Sequence, residues 1–278
     1  MILVFSIAMA ACGGGMSSTN NNNSGNVNGV FADDPVVGLS YSCGSTKGVT
    51  MAGGAFICPS NSTVTFTVGG ITVCSAPAQA FMTPVSCAQA NGNPTADAST
   101  PSVVAAAQFM ISVGTPAGTA PGSLSTLTIT SAEIQAASSL SLDFSTATQG
   151  QLQTAVSAVN PGQTLASAST AQNQLTGTVA TNIAGRYSGS YSGGASGTWT
   201  VTIDSSGNVS GSFDDSKNGT GPISGALVNG TTFSGSAGNA SWAGTVDTSK
   251  TPTTGKGPYL FSGSWTNSGA GANGSFTN

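Results

Sequence analysis

Nine acidic side chains, five cysteines and no histidine bound the chemistry open to this 278-residue chain. Without histidine there is no Ser-His-Asp or Cys-His arrangement and no imidazole to move protons near neutral pH. Two carboxylates could hydrolyse a glycoside, but they must flank the scissile bond together. The only sequence-adjacent acids are Asp33-Asp34 and Asp214-Asp215, and neighbours on a strand point to opposite faces. Asp33-Asp34 reads as a solvated pair. Glu133, the one glutamate, falls in Thr130-x-x-Glu133, the spacing of a helix capping box. Asp214-Asp215-Ser216-Lys217-Asn218-Gly219 begins like a calcium loop, but Gly225 stands near the place of the bidentate glutamate, so the run reads as a polar turn. No C-x-x-C pair offers zinc a site, and Gly13-Gly14-Gly15 lacks the Lys-Ser/Thr of a phosphate loop. The expectation is a protein that is not an enzyme and uses no metal or cofactor.

Cys12 carries the clearest covalent chemistry. It ends an apolar run from Met1 to Ala11, shorter than the roughly 20 residues of a membrane-spanning helix but suited to a signal peptide. Met9-Ala10-Ala11-Cys12 resembles a bacterial lipobox, with Met9 where leucine is usual. The resemblance implies removal of residues 1–11 and acylation of the Cys12 thiol and new amino group by fatty acids such as palmitate. Because Gly13 rather than aspartate follows, it also implies an anchor in the outer membrane. Residues 12–34, with the Ser/Asn/Gly run from Ser17 to Asn28, read as a flexible tether.

With Cys12 taken by lipid, Cys43, Cys58, Cys74 and Cys87 remain, an even number in an exported chain with three possible connectivities. Sequential pairing is favoured, since Cys43 and Cys58 flank one apparent hairpin while Cys74 and Cys87 bracket a short loop containing Pro77 and Pro84. Closing a loop of about 15 residues contributes on the order of 3 kcal/mol. Charged residues make up 5% of the chain, against about 25% in ordinary proteins. Solubility therefore falls to Ser, Thr, Asn and Gly. Five Lys and Arg against nine acids leave no basic patch for phosphates, which excludes nucleic acid as a partner.

The elements that must position these residues fall into three segments. Residues 35–90 read as a β module: Val64-Thr65-Phe66-Thr67-Val68 alternates strictly, and Gly69-Gly70 separates it from Ile71-Thr72-Val73, as in a hairpin. The pattern Val37-Gly38-Leu39-x-Tyr41-x-Cys43, Gly48-x-Thr50, Phe56-x-Cys58, Val64-Thr65-Phe66-x-Val68-Gly69-Gly70 and Thr83-Pro84 resembles a module of bacterial surface proteins and lipoproteins. That resemblance implies pairing of its first two cysteines. Residues 91–184 read as helical, with Thr100-Pro101 opening a helix striped by Val104, Ala107 and Ile111. Leu152 and Val156 stripe another, stopped at Asn160-Pro161-Gly162, and Leu175, Val179 and Ile183 a last one. The surface module carries an acidic loop suited to calcium after its first helix; Val113 to Gly118 holds no carboxylate, so no metal site is carried over.

Residues 185–278 repeat one device eight times: a glycine two residues from an apolar or aromatic one, as in Tyr187-x-Gly189-x-Tyr191, Gly197-x-Trp199-x-Val201 and Phe261-x-Gly263-x-Trp265. Alternation puts these glycines on the same face as the rings and Ser/Thr on the other. Eight such strands, joined by turns such as Asp204 to Asn208 and Asn229-Gly230, can close into a barrel. The segment resembles the Gly/Ser-rich β domains that end many bacterial lipoproteins. The fold class expected is mainly β with an α-helical middle: a disulfide-bonded β module, helices packed on it, then an eight-stranded antiparallel up-and-down barrel with a filled interior. The function expected is adhesion, assembly or surface interaction by a lipid-anchored cell-envelope protein, with the membrane as one partner and a protein or glycan as another. The alternative is a small-ligand carrier, in which Trp199, Trp242 and Trp265 line a cavity inside the barrel.

Overall fold

The computed structural model describes residues 25–278 apart from Pro94, Asn218 and Ser249. In chain order its first strands are β1 (Asn26–Phe31), β2 (Val36–Val37), β3 (Ser40–Cys43), β4 (Thr46–Val49), β5 (Ala55–Pro59), β6 (Thr63–Val68), β7 (Ile71–Pro77) and β8 (Phe81–Met82). Helices α1 (Pro84–Ala90) and α2 (Pro101–Val113) follow, then β9 (Leu127–Thr128), α3 (Ser131–Ala136), α4 (Gln149–Val159) and α5 (Ala168–Ile183). Three sheets result, with strand orders β5-β1-β8, β4-β3-β6-β7 and β2-β9. The expected hairpin is β6-β7. Its Val64, Phe66 and Val68 are all buried, and Gly69 turns at φ 56 where an added Cβ would lie 2.4 Å from the Ala137 carbonyl carbon. Phe66 joins the two larger sheets, its ring 4.5 Å from that of Phe31 in β1 and 5.1 Å from that of Phe56 in β5.

Both expected disulfides are present, Cys43–Cys58 and Cys74–Cys87. The first does not staple one hairpin: Cys43 lies in β3, whose partners are β4 and β6, whereas Cys58 lies in β5, which pairs with β1. It ties two sheets together. The second ties β7 to α1, a helix begun by Thr83, which accepts from the Ser86 amide at 3.3 Å. The tether expected over residues 12–34 ends earlier than that, because residues 26–31 form β1. Nothing in the local composition marks Val30 and Phe31 as strand residues, yet β5 and β8 supply the edges with which β1 pairs.

The helices follow the expected stripes, with two differences. Thr100 does not cap α2 by its side chain; its hydroxyl accepts instead from the Asp97 amide at 2.9 Å. And α2 is buried nearly all round from Ala105 to Val113, because α1, α4 and α5 all pack on it. Its one long polar side chain, Gln108, is satisfied by Gln149 and the Ala166 carbonyl. Glu133 does close a capping box, accepting from the Thr130 amide at 2.6 Å while the Thr130 hydroxyl accepts from the Glu133 amide.

Eight further strands, β10 (Gly185–Gly193), β11 (Gly197–Ile203), β12 (Asn208–Asp215), β13 (Gly219–Asn229), β14 (Thr232–Ala237), β15 (Ala240–Asp247), β16 (Leu260–Asn267) and β17 (Ala272–Thr277), form a closed antiparallel barrel in sequence order. Gly225 opposes Gly235 and Gly244 opposes Gly263 across neighbouring strands. Without side chains there, rings from other positions lie over the gaps: a Cβ on Gly225 would fall 2.5 Å from Trp242 and one on Gly244 2.5 Å from Phe276. The end near the helices is sealed. Gly230, in the β13–β14 turn, sits against Asp97 and Ala98; the Tyr187 hydroxyl donates to the Ile183 carbonyl at 2.7 Å, and Asn182 donates to the Tyr259 hydroxyl.

Candidate functional site

The barrel interior divides into a packed floor and an open cup. In the floor, Phe261 is the hub: its ring centroid lies 5.7 Å from those of Tyr187 and Phe233, 5.8 Å from Trp199, 6.0 Å from Trp242 and 5.3 Å from Phe276. These contacts are edge-to-face, the arrangement ring quadrupoles favour. Ile203, Val209 and Val246 fill the remaining space, all buried. The Asn278 side chain accepts from the Phe261 amide at 2.7 Å and donates to the Tyr259 carbonyl at 2.8 Å.

Beyond Phe261 the filled interior expected from the sequence gives way to a cavity of about 580 Å³, open at the end bearing the β10–β11, β12–β13, β14–β15 and β16–β17 turns. This corrects the expectation of a packed barrel. The glycines at this end do not fill the space but seat rings against the wall: a Cβ would fall 2.8 Å from the Tyr191 hydroxyl at Gly197, 2.5 Å from the Phe213 ring at Gly221 and 2.7 Å from Trp265 Nε1 at Gly274, and these rings leave the centre of the barrel mouth empty. Trp199, Trp242 and Trp265 all line the cup, as the carrier alternative requires. Trp242 and Trp265 are direct cross-strand neighbours on β15 and β16.

Two of the indoles are locked. Trp199 Nε1 donates to the Ser190 carbonyl at 3.1 Å, and Trp242 Nε1 to the Ser224 and Ser236 carbonyls at 3.2 and 3.3 Å. Trp265 Nε1 is buried without a hydrogen-bond partner, so packing alone holds its ring. Nearer the mouth stand Tyr191, Phe213 and Asp215. The Tyr191 hydroxyl donates to Asp215 Oδ2 at 2.9 Å, and the Lys217 amide to Oδ1 at 2.9 Å. Burial, and then the hydrogen bond to Asp215 and its charge, push the Tyr191 hydroxyl well above the usual phenol range, so it stays a donor. Asp215 was missed as a site residue because Asp214 to Gly219 reads as a turn; the parity Val209, Gly211, Phe213, Asp215 is the signal that places it inward.

No protein-family model, curated protein or solved structure matches this chain. The cup must therefore be understood from its own geometry. It is concave, walled by rings, and polar only at Tyr191, Asp215 and a rim that includes Thr220, Asn239 and Asn267. Such a site can enclose a small molecule. Among the described residues no group of three or more acids or cysteines could hold a metal ion.

The other acidic pair is not solvated as its sequence suggests. Asp33 is fully buried and its carboxyl oxygens have no hydrogen-bond partner; burial, with the charge of Asp34, drives it well above the usual carboxylate range. Asp34, at φ 58, reaches α5, where Gln174 and Thr178 donate to its carboxylate and the Thr178 hydroxyl accepts from its amide. Burial raises it too, against the pull of these two partners. Asp34 thereby pins the β1–β2 turn to the last helix before the barrel. Cys12 and its acylation lie outside the described residues.

Proposed function

We propose that this chain is a non-enzymatic cell-envelope protein, anchored through acylated Cys12 in the outer membrane, whose barrel carries a small, largely apolar ligand. The cavity of about 580 Å³ lined by all three tryptophans of the chain carries the ligand half of the proposal. Small-molecule sites are concave, mostly apolar and of roughly 300–1,000 Å³, with a few polar groups to orient the ligand. The anchor half rests on Met9-Ala10-Ala11-Cys12. Among the described residues no helix is long and apolar enough to cross a membrane. Adhesion or assembly through a protein or glycan partner is the second reading, favoured by the serine-rich outer face of the barrel, where Ser210, Ser212, Ser224, Ser234 and Ser236 are exposed.

The full chain carrying Cys12→Ser tests both halves. It should leave the membrane fraction and be recovered without detergent; retention in the membrane overturns the anchor. The neutral probe N-phenyl-1-naphthylamine should then bind it saturably, with a matching change in tryptophan fluorescence, and Ala237→Phe should block binding by filling the cup. A probe that does not bind overturns the carrier reading and leaves adhesion.

A further inference from the structure

How far a ligand can enter the cup is set by one ring. Phe276 stands opposite Gly263, and Gly263 stands opposite Gly244 on the next strand. With two glycines in a row, the ring runs across both: a Cβ on Gly263 would fall 2.6 Å from its tip and one on Gly244 2.5 Å. There it meets Trp199 at 5.8 Å, Trp242 at 6.0 Å and Phe261 at 5.3 Å, each edge-to-face. Trp199, Trp242 and Phe261 are 5%, 7% and 2% exposed, whereas Phe276 is only half-buried. The surface on which the cup ends is therefore largely that of Phe276. This floor is also stiff, since hydrogen bonds to backbone carbonyls hold both indoles beside it.

The strand that carries Phe276 begins at Ala272, four residues before it. At about 3.4 Å per residue that is about 14 Å of strand, or roughly 10 Å along the barrel axis at the tilt usual for closed sheets. The cup is thus wide and short. A rigid, compact body fills such a space at little cost in freedom, whereas a long chain must coil within it, losing rotamer freedom at each bond, or leave its end in water. Resting on the cup as a binding site, we propose that it takes compact, ring-bearing apolar molecules and excludes extended acyl chains, with Phe276 the residue that sets this limit.

The test uses the full chain carrying Cys12→Ser and the displacement of N-phenyl-1-naphthylamine by the straight-chain alcohols 1-hexanol, 1-octanol, 1-decanol and 1-dodecanol. Each methylene buried in an apolar site adds about fourfold in affinity, so the rise should be steep as far as 1-octanol and flat from 1-decanol onward. Phe276→Ala, which removes the floor, should carry the rise through to 1-dodecanol. Phe276→Leu, a milder change, should raise the affinity for 1-decanol severalfold, and it answers the same question if Phe276→Ala lowers the melting temperature. An affinity that climbs through 1-dodecanol with Phe276 in place overturns the proposal, as does an unmoved limit in both Phe276 variants. Failure of the carrier reading shows separately, as absence of N-phenyl-1-naphthylamine binding.

Discussion

The N-terminal region is cross-linked, with disulfides tying β3 to β5 and β7 to α1, whereas the barrel is closed by hydrogen-bonded strands alone and by a stack of rings centred on Phe261. Both regions are built from the same nearly uncharged composition. The N-terminal strands are short, most of two to six residues, and their order mixes near and distant strands, so much chain entropy is lost for each pairing. Covalent closure offsets that loss. In the barrel each strand pairs with its sequence neighbour and only β10 with β17 closes over distance, so local contacts suffice and the interior need not be filled throughout. A cross-linked region thus stands beside a self-closing one whose interior is partly empty.

The comparison is tested most severely by reduction. Opening Cys43–Cys58 and Cys74–Cys87, which span 15 and 13 residues, should cost about 3 kcal/mol each. Helical far-UV ellipticity arises from α1 to α5 and tryptophan fluorescence from the barrel alone. Reduction should therefore lower the ellipticity melt and leave the fluorescence melt nearly in place; a joint shift of both would make the two regions one cooperative unit.

A smaller effect is expected from the glycine belt. Gly225→Leu and Gly263→Leu place a Cβ 2.5 Å from Trp242 and 2.1 Å from the Ala243 carbonyl oxygen, and overpacking of this kind costs about 1–3 kcal/mol or more. Ser224→Leu and Ser264→Leu, on the exposed face, should stay within about 0.5 kcal/mol. Here the fluorescence melt is the readout that must move. Equal losses in the serine and glycine variants would refute the inward belt.

The smallest effect belongs to the acidic pair. Asp33 and Asp34 have raised pKa values in the folded chain, so the folded state holds protons that the unfolded state has released. Stability therefore falls as pH rises from the ordinary carboxylate value of 3.8 toward the raised folded values, and is recovered on acidification. Asp143 and Asp204 are lowered and act in the opposite sense, but both are fully exposed to solvent. Asp33→Asn should flatten the pH dependence of the ellipticity melt and leave that of the fluorescence melt unchanged. An unaltered profile would show that Asp33 does not titrate with folding.

Local signals determined much of this protein. Strict alternation in β6, the glycine pair after it, the Thr130-x-x-Glu133 box and the eight Gly-x-ring repeats each report a period or a spacing that neighbouring residues satisfy among themselves, and all of them stand in the fold. What the sequence left open depends on partners far along the chain. Residues 26–31 become a strand because β5 and β8 offer edges, Cys43 and Cys58 join two sheets rather than one hairpin, and Asp33 is buried where its neighbours in sequence predict water. The cup was decided in the same way. Periodicity says which side chains point inward, and it did so correctly for Tyr191, Phe213 and the three tryptophans; whether inward side chains fill the space depends on how closely the opposite wall approaches. That distance is set by the closure of eight strands, a property of the whole barrel and of no single stretch of sequence.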